Sequence, residues 1–480
     1  PASVCAALFN SPCQNTCPAN VDVPIYIDLI RQRRFAEAYE VIRRENPFPV
    51  VCGRVCNHPC EGKCNRAKID QPLAIRELKR FAADYAMKLN GQRPKPQVAP
   101  PNGKKVAVIG AGPAGLTAAY YLAQKGYGVT VFEALPVAGG MMAVGIPEYR
   151  LPKKTLQAEI DTILELGVEL KTGKALGRDF RLEDLKEQGY EAVFVAIGAH
   201  KDQKLCVPGE ELAGVYAGAT FLRQLNLGQA PELKDKVVAV IGGGNVAMDA
   251  ARSALRLGAK EVHIIYRRQK DDMPALREEI HEAEKEGVKI TCQANPVAIL
   301  GENGKVTAVK CIRMRMGEFD RSGRRRPVPV EGSEFTMPVD IIIAAIGQTV
   351  DPESIPEGLE VSRAGTIVAD EKTGATKVSW VFAGGDCVAG PDTVIGAIAA
   401  GKKAAAAIDR YLGGDGVIVP EMEIKRQRTA PVIEEKTPRV AAPSLEVTER
   451  LSGFAEVELG YDLEAAVAEA SRCLRCDVRE

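Results

Sequence analysis

Apolar spacing divides the chain into regions. Across Pro24–Glu45, Ile25, Ile27, Leu29, Ile30, Phe35, Ala38, Val41 and Ile42 recur among many arginines, which predicts an amphipathic helix or helix pair. A second helix is predicted over Ala74–Leu89, followed by a proline-rich linker from Arg93 to Pro101. From Lys104 to about Leu412 a short apolar run, a glycine-rich turn and a helix follow one another repeatedly, the pattern of parallel α/β units. Residues 416–445 are rich in proline and charge and read as extended. A last helix, Leu463–Leu474, ends the chain near a pair of cysteines.

Two of the glycine turns stand where a strand hands over to a helix. Lys105–Ile109 leads into Gly110-Ala111-Gly112-Pro113-Ala114-Gly115, and Glu133 ends the next strand. Glycine there permits a tight turn, close approach of backbone to a pyrophosphate, and close helix–strand packing. The helix N-terminus supplies N–H donors to the phosphates, and the acid can accept from ribose hydroxyls. The second copy runs Val237–Ile241, then Gly242-Gly243-Gly244-Asn245-Val246-Ala247. Its following strand, Val262–Ile265, ends in Tyr266-Arg267-Arg268 instead of an acid. Adjacent guanidiniums suit a 2′-phosphate, so NADP(H) is favoured over NAD(H), with two solvated surface arginines as the competing reading. Two such sites in one chain point to a flavin and a nicotinamide. A third turn, Gly384-Gly385-Asp386-Cys387, follows a strand Trp380–Ala383 and precedes a helix from Val394 to Tyr411, placing a carboxylate for a ribityl hydroxyl and a helix N-terminus for the isoalloxazine.

Charge adds an exclusion. Lys+Arg 63 equals Asp+Glu 63, so nothing global favours nucleic acid or an anionic membrane. No stretch approaches the ~18 apolar residues of a membrane span. Pro1-Ala2-Ser3 has neither an initiator methionine nor a signal pattern, so the N-terminus is expected to be trimmed or internal to a longer polypeptide. A cytoplasmic location follows as an expectation.

The 480 residues include 13 cysteines, seven of them before residue 65: Cys5, Cys13, Cys17, Cys52, Cys56, Cys60 and Cys64. With Cys473-Leu-Arg-Cys476 they make nine clustered thiols, enough for the eight ligands of two 4Fe–4S clusters. Zinc competes for such sites, but a neighbouring flavin makes one-electron carriers useful. Cys206, Cys292, Cys311 and Cys387 read as buried small apolar residues. No cysteine pair lies near Gly139-Gly140-Met141-Met142, so a redox dithiol beside the flavin is not expected.

These residues resemble the small subunit of bacterial glutamate synthase and its relatives, among them the N-terminal half of dihydropyrimidine dehydrogenase and NADPH-dependent ferredoxin oxidoreductases. The resemblance rests on Cys13-Gln-Asn-Thr-Cys17-Pro18, on the run Cys52–Cys64, on Gly139-Gly140 with Gly145-Ile146-Pro147-Glu148-Tyr149-Arg150-Leu151-Pro152, and on Tyr266-Arg267-Arg268 with Met273-Pro274. It implies an α/β fold of two interleaved Rossmann-like domains, for FAD and NAD(P)H, preceded by an α-helical iron–sulfur domain. The expected ranges are 1–100 for the double-cluster domain, 101–232 and 339–415 for FAD, 233–338 for NAD(P)H, and 416–480 for a tail returning to the clusters. It implies Gly110, Gly112, Pro113, Ala114, Gly115, Glu133, Gly140, Arg150, Gly385, Asp386, Thr393 and Ala397 at FAD. At NAD(P)H it implies Gly242, Gly244, Asn245, Val246, Arg267 and Arg268.

The chain departs from that pattern. Leu8 stands where relatives have a cysteine, and an Arg-Cys-Leu-x-Cys element appears instead at Arg472–Cys476. Lys79 stands where some relatives offer a Gln or Glu ligand, and a protonated lysine has no lone pair to give. Cys13, Cys64, Cys473 and Cys476 are therefore expected to hold one cluster. Cys17, Cys56 and Cys60 would hold the other, with Cys52 or Cys5 as its fourth ligand.

The implied function is an oxidoreductase subunit that exchanges hydride between NAD(P)H and FAD and passes single electrons through its clusters to or from a partner subunit or ferredoxin, in a hetero-oligomeric complex. No side-chain acid or base is required, so no catalytic residue is assigned. A stand-alone NAD(P)H reductase for ferredoxin or a small acceptor is the alternative enzyme, and a scaffold braced by zinc or structural clusters is the alternative from another class.

Overall fold

The computed structural model describes residues 11–89, 96–320, 323–419, 421–422, 424 and 436–478. Its N-terminal part is helical. The expected helix pair is Val23–Arg31 and Phe35–Glu45, broken at Gln32-Arg33-Arg34, where Arg33 takes the left-handed conformation (φ 60°). Shorter helices cover Pro12–Thr16 and Pro49–Val55, and a longer one covers Ile75–Met87.

Two five-stranded parallel sheets follow, built alike. The first runs, from one edge, Val381–Ala383, Tyr190–Val195, Lys105–Ile109, Gly128–Glu133 and Glu169–Thr172. The second runs Val215–Ala217, Ile341–Ala344, Val237–Ile241, Glu261–Tyr266 and Lys289–Cys292. In each, the central strand feeds a glycine turn and a helix, Pro113–Gln124 in one and Asn245–Arg256 in the other. The same steric device closes both turns. Gly110 (φ +105°) and Gly242 (φ +145°) lie so close to the carbonyl oxygens of Ala196 and Ala345 that a Cβ would collide with them.

Two features depart from the sequence expectation. Val215–Ala217 and Ile341–Ala344 fall in the ranges expected for the flavin unit, yet they hydrogen-bond into the second sheet. Short apolar strands carry no mark of which parallel neighbour they will find. The steady strand–turn–helix alternation is also interrupted by an antiparallel sheet of Ala294–Glu302, Lys305–Phe319, Arg325–Pro329 and Phe335–Pro338. Its first hairpin turns on Asn303-Gly304, both at positive φ, as a two-residue loop demands.

One apolar core runs without a break from the N-terminal helices into the first sheet. It joins Ile27, Val41, Phe48 and Leu78 to Val106, Val108, Tyr121 and Val131. Polar ties reinforce it. Glu159, on the helix Lys153–Leu164, accepts from the N–H groups of Val50 (2.8 Å) and Val51 (2.9 Å) and so caps Pro49–Val55. Lys402 is paired with Glu45. The C-terminal stretch returns across this surface: its helix Leu463–Ser471 buries Ala466 and Ala470 in the same core. Among the described residues no helix is long and apolar enough to cross a membrane.

Candidate functional site

A cavity of about 310 Å³ lies over the C-terminal ends of the first sheet's strands. Gly110, Gly112, Pro113 and Ala114 line it from the first turn, with Pro113 opening the helix at a position where no N–H is lost. Glu133, Gly140, Gly385, Asp386, Thr393 and Ala397 complete much of the wall. Thr393 caps the helix Val394–Tyr411 by accepting from the N–H of Gly396 (3.2 Å), which presents that helix's N-terminal end to the cavity. Gly115 stands behind the wall, where a side chain would strike the Gly110 carbonyl oxygen.

Electrostatics in this cavity are uneven. Burial raises the Glu133 carboxyl, yet its two oxygens accept from the N–H groups of Ala111 and Leu135, both at 2.8 Å. The acid thus braces the glycine turn as well as facing the cavity. Burial pushes Asp386 up to about 6, and no strong cation opposes it. His200, Arg223 and Lys174 also reach the wall. Burial lowers His200 to about 4, and the Arg223 guanidinium, 3.1 Å from His200 Nδ1, lowers it further. These three were invisible in the sequence. Each follows a strand or sits on a helix far from the others, and no motif links them.

Arg150 is a correction. It is not among the residues lining this cavity; its side chain, only 10% exposed, pairs with Asp249 (2.9 Å) and Glu279 (3.1 Å) of the second unit. Two buried carboxylates claim its charge, so it fastens the two units together. Arg252 and Arg256 extend the seam to Glu279 and Glu286 and stack over the Tyr149 ring.

At the second turn, Gly242 and Gly244 lead into the helix whose first residues are Asn245 and Val246. Asn245 is exposed, and its side-chain oxygen accepts from the N–H of Leu276 (3.1 Å), tying the Met273-Pro274 loop to the turn. The two arginines beyond the strand separate. Arg267 is exposed. Arg268 is buried, pairs with Asp320 (2.8 Å) and donates to the Arg325 carbonyl (2.9 Å). The strand ends at Tyr266, and in the bend that follows Arg267 faces solvent while Arg268 turns inward.

The thiols form two sets. Cys13, Cys64, Cys473 and Cys476 line one small cavity. Burial raises Cys473, and charge on Cys13, Cys64 and Cys476 raises it further. Burial likewise pushes Cys13 up to about 11. The C-terminal pair is brought there by buried arginines: Arg472 binds Asp70 (2.9 Å), Glu469 (2.7 Å) and the Gln71 carbonyl (2.8 Å), and Arg475 binds Asp28 (2.6 Å). Cys17, Cys52, Cys56 and Cys60 form the second set, gathered around Lys79.

Local backbone sorts the sets. Cys13 lies within the helix Pro12–Thr16, whereas Cys17, four residues on, is already extended (ψ 118°) and leaves that face. Cys60 and Cys64 are parted the same way across the turn Glu61–Lys63. Cys5 lies outside the described residues. Among the described residues no three His, Cys, Asp or Glu side chains are close enough to share a single metal ion. All twelve described cysteines are free. Of the four outlying ones, Cys311 and Cys387 are buried as expected, Cys292 is half-buried, and Cys206 is exposed on a left-handed turn (φ 56°).

The donor chemistry fits iron–sulfur groups. Burial raises Cys13 and Cys473 in the first set and Cys52, Cys56 and Cys60 in the second, and cationic iron would take the place of their protons. The cavity fits a dinucleotide: a glycine turn at one end, a second helix N-terminus at the other, and walls that are mostly apolar.

The fold and these sites define a two-nucleotide oxidoreductase joined to an iron–sulfur domain. Comparison with known proteins agrees. Residues 104–401 match the pyridine nucleotide-disulphide oxidoreductase family, and residues 1–91 match dihydropyrimidine dehydrogenase domain II, 4Fe-4S cluster. The chain belongs to that oxidoreductase family and carries that iron–sulfur domain. It is 47% identical, over 97% of its length and 70% of the relative's, to the NADP(+)-dependent formate dehydrogenase subunit beta of Moorella thermoacetica. It is 43% identical to the NADPH-Fe(3+) oxidoreductase subunit beta of Geobacter sulfurreducens, covering 98% of this chain and 75% of that one. The glutamate synthase (NADPH) small chain of Escherichia coli is 36% identical, with 86% of this chain and 90% of the other covered. Among solved structures, FprA of Mycobacterium tuberculosis in complex with NADPH shares the fold, at a TM-score of 0.57 and 21% identity over 66% of this chain and 85% of that one.

Proposed function

We propose that this chain is the electron-transfer subunit of an NAD(P)H-dependent FAD and iron–sulfur oxidoreductase, delivering electrons to, or taking them from, a partner that holds the substrate site. The observation that carries the reading is the pairing of two four-thiol sets with a dinucleotide cavity on one continuous core. Bound FAD exchanges hydride with a nicotinamide and single electrons with 4Fe–4S clusters, which is the chemistry such an assembly supplies.

The chain's own work is to bind, orient and separate. The turn Gly110–Gly115 and the N-terminal end of Pro113–Gln124 would receive the FAD pyrophosphate, and Glu133 and Asp386 would hold ribose and ribityl hydroxyls. Gly242–Val246 would receive the nicotinamide dinucleotide, with Arg267 toward a 2′-phosphate; NADP(H) is preferred because an exposed guanidinium and no acid stand at that strand end. Cys13, Cys64, Cys473 and Cys476 would hold one cluster and Cys17, Cys52, Cys56 and Cys60 the other. The first set is part-exposed and the second buried, so a partner would approach the first. Relatives named as beta subunits or a small chain support a multi-subunit complex. Free thiols throughout the described residues support a cytoplasmic setting.

Anaerobic addition of NADPH to the purified protein tests the reading. Flavin absorbance should bleach and a reduced-cluster signal should appear in electron paramagnetic resonance. A protein lacking flavin absorbance and iron would overturn it.

A further inference from the structure

Lys79 is a lysine where burial gives it no ordinary reason to be. It sits on the helix Ile75–Met87, only 4% exposed, and the thiols around it are as deep: Cys52 is 0%, Cys56 5%, Cys60 6% and Cys17 9% exposed. The helix that carries Cys52 lies directly on the helix that carries Lys79. A Cβ at Gly53 would come within 2.6 Å of the Arg80 Cα and 2.9 Å of its backbone nitrogen, so residues 52 and 79 face the same seam from either side. The arginines nearby are otherwise engaged: Arg76 pairs with Glu77 and Glu458, Arg80 with Asp84 and Glu456. Lys79 has no carboxylate ion pair among the described residues, and the groups gathered around it are the thiols of Cys56, Cys52, Cys17 and Cys60. A buried ammonium without a counter-charge is strongly disfavoured, so an anionic occupant of this set is what its presence calls for.

We propose that Lys79 is the fixed positive charge of the second thiol set: a positioning residue, not a ligand, whose ammonium partly neutralises the iron–sulfur group held by Cys17, Cys52, Cys56 and Cys60 and raises its reduction potential. The inference rests on the ligand set proposed above. It also gives that set its fourth member, since Cys52 is buried beside Lys79 and Cys56 and an ammonium has no lone pair to offer. A cluster bound by four thiolates is anionic and becomes more so when it gains one electron. An ammonium beside it stabilises the reduced form more than the oxidised form. The cavity of the first set is lined by one cation, Arg66, which is already paired with Asp70, so the two sets differ in that only the second holds a cation without a carboxylate partner among the described residues.

The test uses the full chain, with Lys79→Met to remove the charge at similar volume and Lys79→Arg to keep it. Iron content is measured, and both clusters are followed by redox titration with electron paramagnetic resonance. The wild type should hold about eight iron atoms per chain, as two 4Fe–4S clusters require. In K79M one cluster should become at least about tenfold harder to reduce at a fixed potential, which is about 59 mV for a one-electron couple. The other cluster should not move, and K79R should stay near wild type. Loss of one cluster from K79M but not from K79R would support the same charge requirement. Unchanged potentials in K79M, or loss of a cluster from both variants, would overturn the proposal and leave Lys79 a packing residue. Only four iron atoms in the wild type would remove the second ligand set itself, and the proposal with it.

Discussion

Gly53 and Arg80 are in backbone contact across two helices: a methyl group at position 53 would stand 2.6 Å from the Arg80 Cα. This closeness lets Cys52 and Lys79 share one buried seam. Gly53→Ala should therefore cost about 1–3 kcal/mol, as overpacking in a close-packed interior does. Chemical unfolding followed by circular dichroism would measure it. Because Cys52 and Cys56 lie on and just beyond the same helix, the variant should also purify with less iron. Wild-type stability and iron together would show that the seam relaxes freely.

Arg267 and Arg268 should respond differently to alanine. Arg267 is exposed, and its loss should weaken NADPH by roughly 10–150-fold, the worth of a charge-assisted contact of about 1.5–3 kcal/mol, while leaving NADH nearly unchanged. Arg268 is committed to Asp320 and the Arg325 carbonyl, so Arg268→Ala should lower stability with little change in the NADPH-to-NADH ratio. Titrating both nucleotides against both variants separates these outcomes. Equal selectivity in Arg267→Ala and wild type would remove the case for NADP(H) from this residue.

Those two arginines show what a sequence can and cannot disclose about such a site. The glycine turns and the handover from strand to helix that each one makes were local, written in spacing and in residues with few conformational options. Charged residues were not local. Arg150 and Arg268 read as ligands because the sequence could not show Asp249, Glu279 or Asp320 waiting for them. His200, Arg223 and Lys174 read as nothing, because they meet only when strand ends and a helix converge on one cavity. Strand partnership failed for the same reason: Val215–Ala217 and Ile341–Ala344 pair across more than a hundred residues, and neither run carries a label for its neighbour.

His200 should make the cavity over the first sheet sensitive to acid. Burial holds it near 4 in the folded chain, against about 6.5 for a free histidine. A depressed folded value means the unfolded chain binds the proton more readily. The stability tied to neutral His200 is therefore complete above about 6.5 and is lost progressively as pH falls from there toward 4. Protonation would also set a second positive charge against Arg223. Thermal unfolding and release of flavin fluorescence between pH 8 and 5 should show the loss. His200→Gln, which cannot charge, should flatten that part of the curve. An identical pH dependence in the variant would assign the acid sensitivity elsewhere.

The last prediction concerns the two ends of the chain. Cys473 and Cys476 lie on the same small cavity as Cys13 and Cys64, more than four hundred residues away in sequence, and Arg472 and Arg475 anchor them there through Asp70, Glu469 and Asp28. Replacing both cysteines with serine keeps those anchors and removes two of the four thiols on that cavity. The double variant should lose about four iron atoms per chain, one 4Fe–4S cluster, and keep its flavin, because the cavity proposed for FAD is walled by other elements. Truncation after Leu459 should lose the same iron, and some stability besides, since it strips Tyr461, Ala466 and Ala470 from the shared core. Iron analysis and the flavin spectrum on the same samples decide it. Full iron in the double serine variant would mean that the tail packs beside the first set without completing it.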